Sequence, residues 1–397
     1  MSKKVVFVGG GSFSWSPRLI NDLMLTPGLE GVQYVILDID EAAGQKMVRY
    51  GRLMAEKRNL NCTFEFADNQ KDAFTGADYI IITISTGGFD TMEFDLKIPE
   101  DYKIYQTVGD TVGPGGWARG LRNIPVFFEM AEAIEKYSPN AVVLNYTNPM
   151  ATLTNVFYRT TNLKTVGLCH GVFEIYDYLM KVFNLESEDE IKLRFGGTNH
   201  FFWVTELKIR GEDGFELLRS KLKGKNLTEL IAETYVDNAG WSSSNILSSE
   251  LFDYFGYLPY IADRHISEFL PSYLTKNLKS IKKYKLKRTT IDQRRKWKIE
   301  KEALLDKYIS GEESIGDKRS RETAADIIGA MINGKDFIDV INVPNSGQIP
   351  NLPAGSIVET LGTINALGFT PITAGPLPQK ILNLVLPHVN NQNDIVE

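Results

Sequence analysis

The sequence predicts an α/β protein with an N-terminal doubly wound parallel sheet and a C-terminal, mostly helical α+β lobe. Short runs rich in Val and Ile alternate with helical patterns through the first 170 residues. The first run leads directly into a glycine-rich turn, which is typical of a strand-to-helix connection in such sheets. Beyond residue 190 the alternation stops and long helical segments follow. The predicted boundary therefore separates residues 1–190 from residues 191–397.

Each element can be placed from its periodicity. The predicted strands of the first lobe cover residues 5–8, 34–37, 79–84, 141–144 and 165–168. The predicted helices cover residues 17–27, 41–58, 120–137 and 149–159. In the second lobe, residues 201–209 are predicted to form an edge or antiparallel strand. The polar tail after His388 is predicted to be loose.

The composition limits the class of protein. Its 397 residues are 43% hydrophobic, which is enough for a large packed core. A net charge of -6 argues against a nucleic-acid partner. No apolar run is long enough to span a bilayer, so no membrane partner is expected. Because Cys62 and Cys169 are the only two cysteines and stand far apart, a reducing, cytoplasmic location is predicted.

The glycine turn after the first strand predicts a Rossmann-like dinucleotide site. Gly9 would form the tight turn, and Gly11 would let the backbone approach a pyrophosphate, with Ser12 and Phe13 completing the loop. Asp38 ends the second strand, where a carboxylate holds both ribose hydroxyls, and this favours NAD over its phosphorylated form. The alternative is a glycine turn that binds no ligand.

Two further segments combine glycine or proline with polar side chains. Residues 108–122 contain five glycines within twelve positions, together with Asp110, Arg119 and Arg122. They are predicted to form a loop close to a ligand, although a stiff surface loop is an equal alternative. Asn148 follows the fourth apolar run, where it would bind a sugar hydroxyl or cap the next helix.

Cys169 and His200 are candidate metal ligands. Cys169-His170 follows the fifth apolar run, and Asn199-His200 lies some thirty residues later. A thiolate and an imidazole together suit a borderline divalent metal. Cysteine and histidine are also ordinary buried residues, so the pair alone leaves both interpretations open.

Together these segments resemble glycoside hydrolase family 4, the NAD- and metal-dependent glycosidases. The matching motifs occur in one order along nearly the whole chain: Gly-Gly-Gly-Ser at 9–12, Gly-Asp-Thr-Val-Gly-Pro-Gly-Gly at 109–116, Thr-Asn-Pro at 147–149, Cys-His-Gly-Val at 169–172, Thr-Asn-His at 198–200 and Asn-Val-Pro-Asn-Ser-Gly-Gln-Ile-Pro-Asn-Leu-Pro at 342–353. The resemblance implies that Cys169 and His200 hold Mn²⁺ and that substrate oxygens complete its coordination shell.

The resemblance also implies an unusual route of hydrolysis. The sugar is oxidised by NAD at C3, loses its C2 proton, eliminates the glycosidic oxygen, adds water and is reduced again. For the base we predict Asp263, with Tyr260 as the alternative, although Asp263 would also serve as a plain helix N-cap. For the general acid we predict His170, with Asp110 as its rival. A histidine beside a metal is a poor acid unless a carboxylate offsets the loss of basicity.

The substrate class follows from residues that are missing. Where family members that act on phospho-sugars carry two phosphate-binding arginines, this chain has Ser85 and Met92. Cys-His-Gly-Val resembles the pattern of members that act on α-linked uronic acids, whereas α-glucosidases and α-galactosidases carry Cys-His-Glu or Cys-His-Ser. A uronate still needs a cationic partner, and Arg264, Arg119 and Arg321 are the candidates.

The sequence thus predicts hydrolysis of α-galacturonides or α-glucuronides, with a small carbohydrate as partner. The resemblance to the family implies a homodimer or homotetramer. An α-glucosidase or α-galactosidase of the same family is one alternative. A lactate- or malate-type dehydrogenase shares the sheet and would use His200 as its acid and base, but it needs no metal cysteine. A non-catalytic NAD sensor would bind NAD without turnover.

Overall fold

A computed structural model of the chain describes residues 3–231, 244–274, 278–314 and 316–397. The elements of the first half, in chain order, are β1 (Lys4–Val8), α1 (Ser16–Met24), β2 (Gln33–Leu37), α2 (Glu41–Lys57), β3 (Thr63–Phe66), α3 (Gln70–Phe74), β4 (Tyr79–Ile82), α4 (Gly88–Asp101), α5 (Gly113–Tyr137), β5 (Val142–Asn145), α6 (Met150–Thr160), β6 (Lys164–Gly167) and α7 (Gly171–Phe183). The five predicted strands and four predicted helices are all present in this half.

The second half contains more strands than the sequence indicated. Its elements are β7 (Ile191–Thr198), β8 (Phe201–Ile209), β9 (Glu212–Asp213), α8 (Gly214–Leu222), α9 (Ile246–Phe255), β10 (Leu258–Pro259), α10 (Asp263–Phe269), α11 (Lys279–Lys283), α12 (Ile291–Ser310), α13 (Ala324–Asn333), β11 (Phe337–Pro344), β12 (Ile357–Asn365), β13 (Gly368–Pro371) and α14 (Gln379–Asp394).

The thirteen strands of the described residues form one continuous sheet. Strands β3, β2, β1, β4, β5 and β6 are parallel neighbours in that order, as in a doubly wound dinucleotide-binding sheet. Strand β11 then joins β6 in the antiparallel sense, through Asn342 opposite Gly167, and the sheet continues through β12, β7, β8 and β10. The two halves of the chain therefore share one backbone scaffold.

The core follows the two-residue period of the strands. Val5 and Phe7 of β1 face one apolar cluster, and Val6 and Val8 face another on the opposite side of the sheet. Helices cover both faces of the parallel half, which is why its strands consist almost wholly of apolar residues. A third cluster surrounds the antiparallel strands and includes the fully buried Trp203.

Three expectations need correction. Most of the glycine-rich segment 108–122 forms the first turns of α5, because that helix begins at Gly113, so Arg119 and Arg122 project from a helix and not from a loop. Residues 201–209 pair with β7 and are largely buried, so they form an inner antiparallel strand. The tail is ordered in α14, where Asn393 donates a hydrogen bond to Ser356 Oγ at 2.7 Å.

None of the described helices is both long and apolar enough to cross a membrane. The predicted boundary near residue 190 precedes β7, which enters the shared sheet, and the division into two domains stays a prediction.

Candidate active site

The polar residues selected from the sequence meet at the carboxyl end of the parallel strands. The glycine turn follows β1, Asn148 follows β5 and Cys169 follows β6. His200 joins them from the turn between β7 and β8. The direction of strand order reverses between β1 and β4, and open α/β sheets bind their ligands at such a point. This edge is the candidate active site.

The glycine turn has a fixed backbone shape. Gly9 has a φ of +76°, and a Cβ atom there would lie 2.9 Å from the carbonyl carbon of Thr83, so only glycine fits. The Gly11 amide donates a hydrogen bond to Asp38 Oδ2 at 2.7 Å. A Cβ on Gly11 would meet Asp38 and Ala43, so the space beside this glycine is filled by protein, which differs from its predicted role at a pyrophosphate.

Asp38 is oriented from both sides at the end of β2. Its Oδ1 atom accepts a hydrogen bond from the Asp40 amide at 2.9 Å, in addition to the bond from Gly11. The next residue, Ile39, is fully exposed. In the loop itself, the Ser12 amide donates to the Gly9 carbonyl at 3.1 Å, and Lys46 lies over the Phe13 ring at 5.5 Å. The turn thus offers a fixed carboxylate, Asp38, next to the exposed apolar side chain of Ile39.

Cys169 and His200 have the protonation chemistry that a divalent metal needs. Burial lowers the pKa of His200 to about 4, so its imidazole is neutral. Its Nδ1 atom lies 3.1 Å from Thr111 Oγ1, which leaves Nε2 to face a metal. Burial raises the pKa of the Cys169 thiol, and a bound cation would reverse that shift. A neutral imidazole and a thiol that a cation can deprotonate are suitable ligands for Mn²⁺.

The rest of the coordination shell is left for other ligands. Within the described ranges, no three side chains of His, Cys, Asp or Glu converge in a manner that would hold a metal. A site with few protein ligands keeps positions open for substrate, which is the arrangement of catalytic and not of structural metal sites.

A buried carboxylate organises the residues around the thiol. The Asn199 side chain lies near the Cys169 thiol and partly offsets the effect of burial on its pKa. Glu359 Oε2 accepts hydrogen bonds from Asn199 Nδ2 at 3.0 Å and from Asn342 Nδ2 at 2.9 Å. Burial raises the pKa of Glu359 to about 7. Glu359 therefore fixes the orientation of the amide that lies near the proposed metal ligand.

His170 has the carboxylate partner that a general acid requires. It stands at the beginning of α7, and its Nδ1 atom lies 3.5 Å from Glu322 Oε1. Burial alone would lower the pKa of His170, but its interactions with the carboxylates of Glu322 and Glu174 outweigh that effect, and the pKa is raised. Glu322 is itself buried and also lies 3.6 Å from Arg18.

Tyr260 lies at the centre of the site. Its side chain is buried, and its ring stacks on Phe202 with centroids 5.2 Å apart. The ring tip packs against the backbone of Gly171, where a Cβ atom would lie 3.1 Å from Tyr260 Cζ. Glu174, one turn further along α7, interacts electrostatically with Tyr260. The glycine of Cys-His-Gly-Val thus makes room for the phenol.

Asp263 has a structural position that does not suit its predicted role as the base. It is 1% exposed, and its Oδ2 atom accepts hydrogen bonds from the Leu247 amide at 2.9 Å and from Ser244 Oγ at 3.2 Å. Its Oδ1 atom accepts from both the amide, at 2.9 Å, and the hydroxyl of Ser248. The N-cap alternative is also wrong, because Ala262 is the N-cap of α10, and the Asp263 carboxylate binds the first turn of α9 instead.

Three arginines interact electrostatically with Asp110. Burial would raise the pKa of Asp110, but Arg294, Arg119 and His200 together hold it below its usual value. Arg264 also interacts with this carboxylate. Arg294 Nη2 donates to the Val108 carbonyl at 2.8 Å. An ionised Asp110 has no proton to give, so the geometry favours His170 over Asp110 as the general acid.

The remaining substrate candidates occupy different environments. Arg119 Nε donates to the Asn148 carbonyl at 2.9 Å, which joins these two predicted residues at the site. Arg321 pairs with Asp177 and Glu188 instead, so its charge is already neutralised. Met92 is buried in a small apolar cluster and Ser85 is exposed. Neither carries the charge of a phosphate clamp.

Four residues of the site were missed by sequence reasoning: Glu174, Arg294, Glu322 and Glu359. Only Glu174 had a local signal, because it stands four residues after His170 at the beginning of a helix, where both side chains share one face. Arg294 lies in a helix with many other charged residues, and the other two lie far along the chain from the motif residues they contact.

Comparison with known proteins assigns the whole chain to one family. The model of the family 4 glycosyl hydrolases matches residues 4–185, and that of the family 4 glycosyl hydrolase C-terminal domain matches residues 195–397. An alpha-galacturonidase of Bacillus subtilis is 34% identical over 403 residues, covering 99% of this chain and 89% of the relative. An alpha-galactosidase of the same organism is 32% identical over 397 residues, covering 100% and 89%.

Solved structures agree with the fold. The Bacillus subtilis protein lplD has a TM-score of 0.90 at 32% identity, covering 100% of this chain and 91% of that one. A 6-phospho-alpha-glucosidase from gut microorganisms, solved in complex with NAD and Mn²⁺, has a TM-score of 0.83 at 23% identity, covering 100% and 90%. Malate dehydrogenase of Plasmodium falciparum shares the fold alone, with a TM-score of 0.56 at 14% identity and full coverage of both chains. With both family models matched over almost its whole length, the chain belongs to glycosyl hydrolase family 4.

Proposed function

We propose that this glycosidase hydrolyses α-linked uronides, with α-galacturonides as the preferred class. The observation that carries the proposal is the group of Arg119, Arg264 and Arg294 around Asp110, next to the proposed metal ligand His200. Three cations face one ionised carboxylate and Glu268, whose pKa burial raises to about 7. The site therefore has an excess of positive charge, which suits a substrate carboxylate.

The arginine group also explains why a neutral sugar would be the weaker substrate. Arg264 is 2% exposed and Arg119 is 9% exposed, so a carboxylate that reached them would exchange water for desolvated guanidinium groups. Such charge-assisted contacts are stronger than contacts between neutral groups. Similarity to the Bacillus alpha-galacturonidase supports this substrate class over the alpha-galactosidase alternative.

We infer NAD and Mn²⁺ as the cofactors. Gly9, Ser12 and Phe13 would surround the pyrophosphate at the N-terminus of α1, Asp38 would accept the ribose hydroxyls, and Ile39 would contact the base. Cys169 and His200 would hold the metal ion. When bound, NAD supplies the oxidant for sugar C3, and Mn²⁺ supplies positive charge where the enediolate develops. The solved family member with both cofactors supports this inference.

The chain's own residues then have separate roles. Tyr260, facing the metal pair, takes the C2 proton, because both oxygens of Asp263 already accept structural hydrogen bonds. His170, with Glu322 behind it, donates a proton to the leaving oxygen. Asn148 and the three arginines orient the sugar. Asp110 holds the arginines in place and stays ionised.

The substrate experiment compares p-nitrophenyl α-galacturonide with the matching α-galactoside and 6-phosphoglucoside, in the presence of NAD, Mn²⁺ and reductant. We expect the uronide to be preferred. Arg294→Met should lower kcat/KM for the uronide by about 10²-fold and leave that for the galactoside nearly unchanged. Lys298→Met, on the exposed side of the same helix, is the matched control. Faster hydrolysis of the 6-phosphoglucoside would refute the proposal.

The same assay distinguishes the proposed glycosidase from the dehydrogenase and sensor alternatives. A lactate- or malate-type dehydrogenase would consume NAD in proportion to a 2-hydroxy acid and would ignore glycosides. A sensor would bind NAD and release no p-nitrophenol. The buried thiol at the proposed metal site has no use in either alternative.

We also propose that the chain assembles as a homodimer or homotetramer through an apolar face of α4 and α5. Phe94 and Ile98 are exposed four residues apart on α4, Tyr102 is exposed directly after its end, and Trp117 and Leu121 repeat that spacing on α5. Light scattering should show an oligomer, and Leu121→Glu should reduce its mass. A monomeric wild type would refute this assembly.

We also propose a cytoplasmic location, because the proposed metal site depends on the reduced thiol of Cys169.

A further inference from the structure

We infer that the C-terminal helix α14 orients the proposed metal ligand His200, and that Gln392 and His388 are the positioning residues through which it acts. These two side chains contact the residues on either side of the turn that carries His200. The inference rests on the proposed function, because it takes His200 to be a metal ligand. It adds a helix from the far end of the chain on which metal affinity depends.

The turn that carries His200 has an uncommon backbone. Thr198 of β7 pairs directly with Phe201 of β8, so Asn199 and His200 are the two central residues of a hairpin turn. Only the second of them has a positive φ, at +63°, as in a type II turn. That position is normally glycine or asparagine. A histidine in this left-handed conformation therefore depends on contacts from outside the turn.

Gln392 holds the residue that precedes the turn. The buried Thr198 side chain donates a hydrogen bond from Oγ1 to Gln392 Oε1 at 2.8 Å. The next residue of α14, Asn393, donates to Ser356 Oγ at 2.7 Å and accepts from Asn155 Nδ2 at 3.2 Å. These bonds attach this end of α14 to α6 and to the residue directly before β12. Gln392 thus binds Thr198 from a helix that is itself fixed in place.

His388 holds the residue that follows the turn. It lies one helical turn before Gln392, and its ring stands edge-on to that of Phe201, with centroids 5.6 Å apart and planes at 80°. His388 Nε2 donates a hydrogen bond to the Phe269 carbonyl oxygen at 2.8 Å. The Phe269 ring stacks on Phe201 with centroids 4.7 Å apart. The Phe201 ring is therefore held between α14 and the last residue of α10.

Together these contacts determine the direction of the His200 imidazole. The side chain is 7% exposed, and its Nδ1 atom lies 3.1 Å from Thr111 Oγ1, so Nε2 is the nitrogen that remains for a metal. Because the imidazole projects from the turn, a rotation of the turn backbone would displace Nε2. Contacts that orient a metal-ligating histidine typically contribute about 10- to 100-fold to metal affinity. Loss of the α14 contacts should thus weaken metal binding although no ligand has been removed.

The test measures metal binding and turn opening without turnover. Gln392→Leu removes the acceptor for Thr198 and keeps a side chain of similar size. We expect the Kd for Mn²⁺, measured by electron paramagnetic resonance of the free ion, to rise by about 10-fold. In the metal-free protein, hydrogen–deuterium exchange of the amides at 198–201 should become about 5-fold faster or more. The Kd for NAD should stay at the wild-type value, because the nucleotide side lies on other strands.

Matched variants make the result specific. Thr198→Val removes the same hydrogen bond from its other partner, so it should raise the Kd for Mn²⁺ by a similar factor, and combining it with Gln392→Leu should cause little further increase. Gln392→Glu keeps an oxygen acceptor and should retain most of the wild-type affinity. His388→Leu removes the second contact and should also raise the Kd. Asn390→Leu, on the exposed side of α14, is the control and should change neither measurement.

Two outcomes separate this inference from the function on which it rests. A wild type whose Mn²⁺ binding survives His200→Ala would refute the metal assignment in the proposed function. A wild type that binds Mn²⁺ through His200, together with a folded Gln392→Leu of unchanged Kd and unchanged exchange, would refute the inference about α14 alone. Full additivity of Thr198→Val and Gln392→Leu would also refute it. Melting temperatures identify the folded variants, and Thr198→Val decides the question if Gln392→Leu is unfolded.

Discussion

The two sides of the active site are built in different ways. The nucleotide side is a single short segment, in which the glycine turn after β1 meets Asp38 at the end of β2 and backbone amides make most of the contacts. The sugar side consists of buried side chains from α5, α7, the β7–β8 turn, α10 and α12. The first can be recognised from its local sequence, whereas the second exists only once distant elements pack together.

The two sides also differ in their electrostatics. Burial raises the pKa of Glu268 and that of Glu359 to about 7, and both carboxyl groups lie on the sugar side. Buried charges cost free energy unless they are paired, and such groups concentrate at functional sites. The sugar side therefore contains buried carboxyl groups that lower the stability of the fold. Substitutions there should change activity and unfolding free energy independently.

The largest effect should come from Cys169→Ser. This substitution removes one of the two proposed metal ligands, and we expect turnover to fall by at least about 10³-fold. NAD affinity, measured by fluorescence titration, should stay close to that of the wild type because the nucleotide side lies on other strands. Full turnover of the variant in the presence of a chelator would remove the metal from the mechanism.

Tyr260→Phe should affect mainly activity, whereas Asp263→Asn should affect mainly stability. Tyr260→Phe deletes one hydroxyl, so we expect a loss of about 10²- to 10⁴-fold in kcat with little change in stability. Asp263→Asn disturbs hydrogen bonds to the first turn of α9 and should cost about 2–3 kcal/mol of unfolding free energy. Its activity per folded molecule should remain. Denaturant titration and active-site counting measure both quantities, and the reverse pattern would restore Asp263 as the base.

A smaller effect is expected on the nucleotide side. Asp38→Ala removes the carboxylate that we assign to the ribose hydroxyls, and the Kd for NAD should rise by about 10-fold or more. Metal affinity, measured by electron paramagnetic resonance of free Mn²⁺, should not change. A shift in metal affinity comparable to that in NAD affinity would show that the two sides are not independent.

The smallest effect concerns stability and pH at Asp339. Its folded-state pKa, raised by burial to about 7, exceeds the value of about 4 in an unfolded chain, so the folded protein binds more protons between these values. The contribution of this group to stability is thus greatest below pH 4 and falls as pH rises to about 7. Asp339→Asn should reduce that loss, by about 2–4 kcal/mol at most near pH 8. Melting temperatures at pH 5 and pH 8 test this, and an unchanged difference between them would contradict it.

The sequence by itself determined most of the parallel half and the family. Val and Ile runs buried on both faces, punctuated by glycine and by helix-starting residues such as Pro17, predicted β1, β2, β4, β5 and β6, and six ordered motifs identified the glycosidase family. The edge strand β3 was not predicted, because only one of its four residues is buried. Cys169, His200 and His170 could be proposed as site residues from the sequence, because they stand at strand ends or turns, where side chains of a parallel sheet converge, and their roles stay predictions.

Only the tertiary structure decided which of the two candidate bases is free to accept a proton. Asp263 and Tyr260 lie three residues apart, yet one is occupied by the amides of α9 and the other faces α7. The pairing of β11 with β6 brings Asn342, and with it Glu359 of β12, close to Cys169, the proposed metal ligand. Helix α12 brings Arg294 close to Asp110. These contacts join residues more than 100 positions apart, and local periodicity contains no information about such distances. The physical reason is that burial and hydrogen-bond saturation, which set the chemistry of a carboxyl group, are properties of the packed chain and not of the residue.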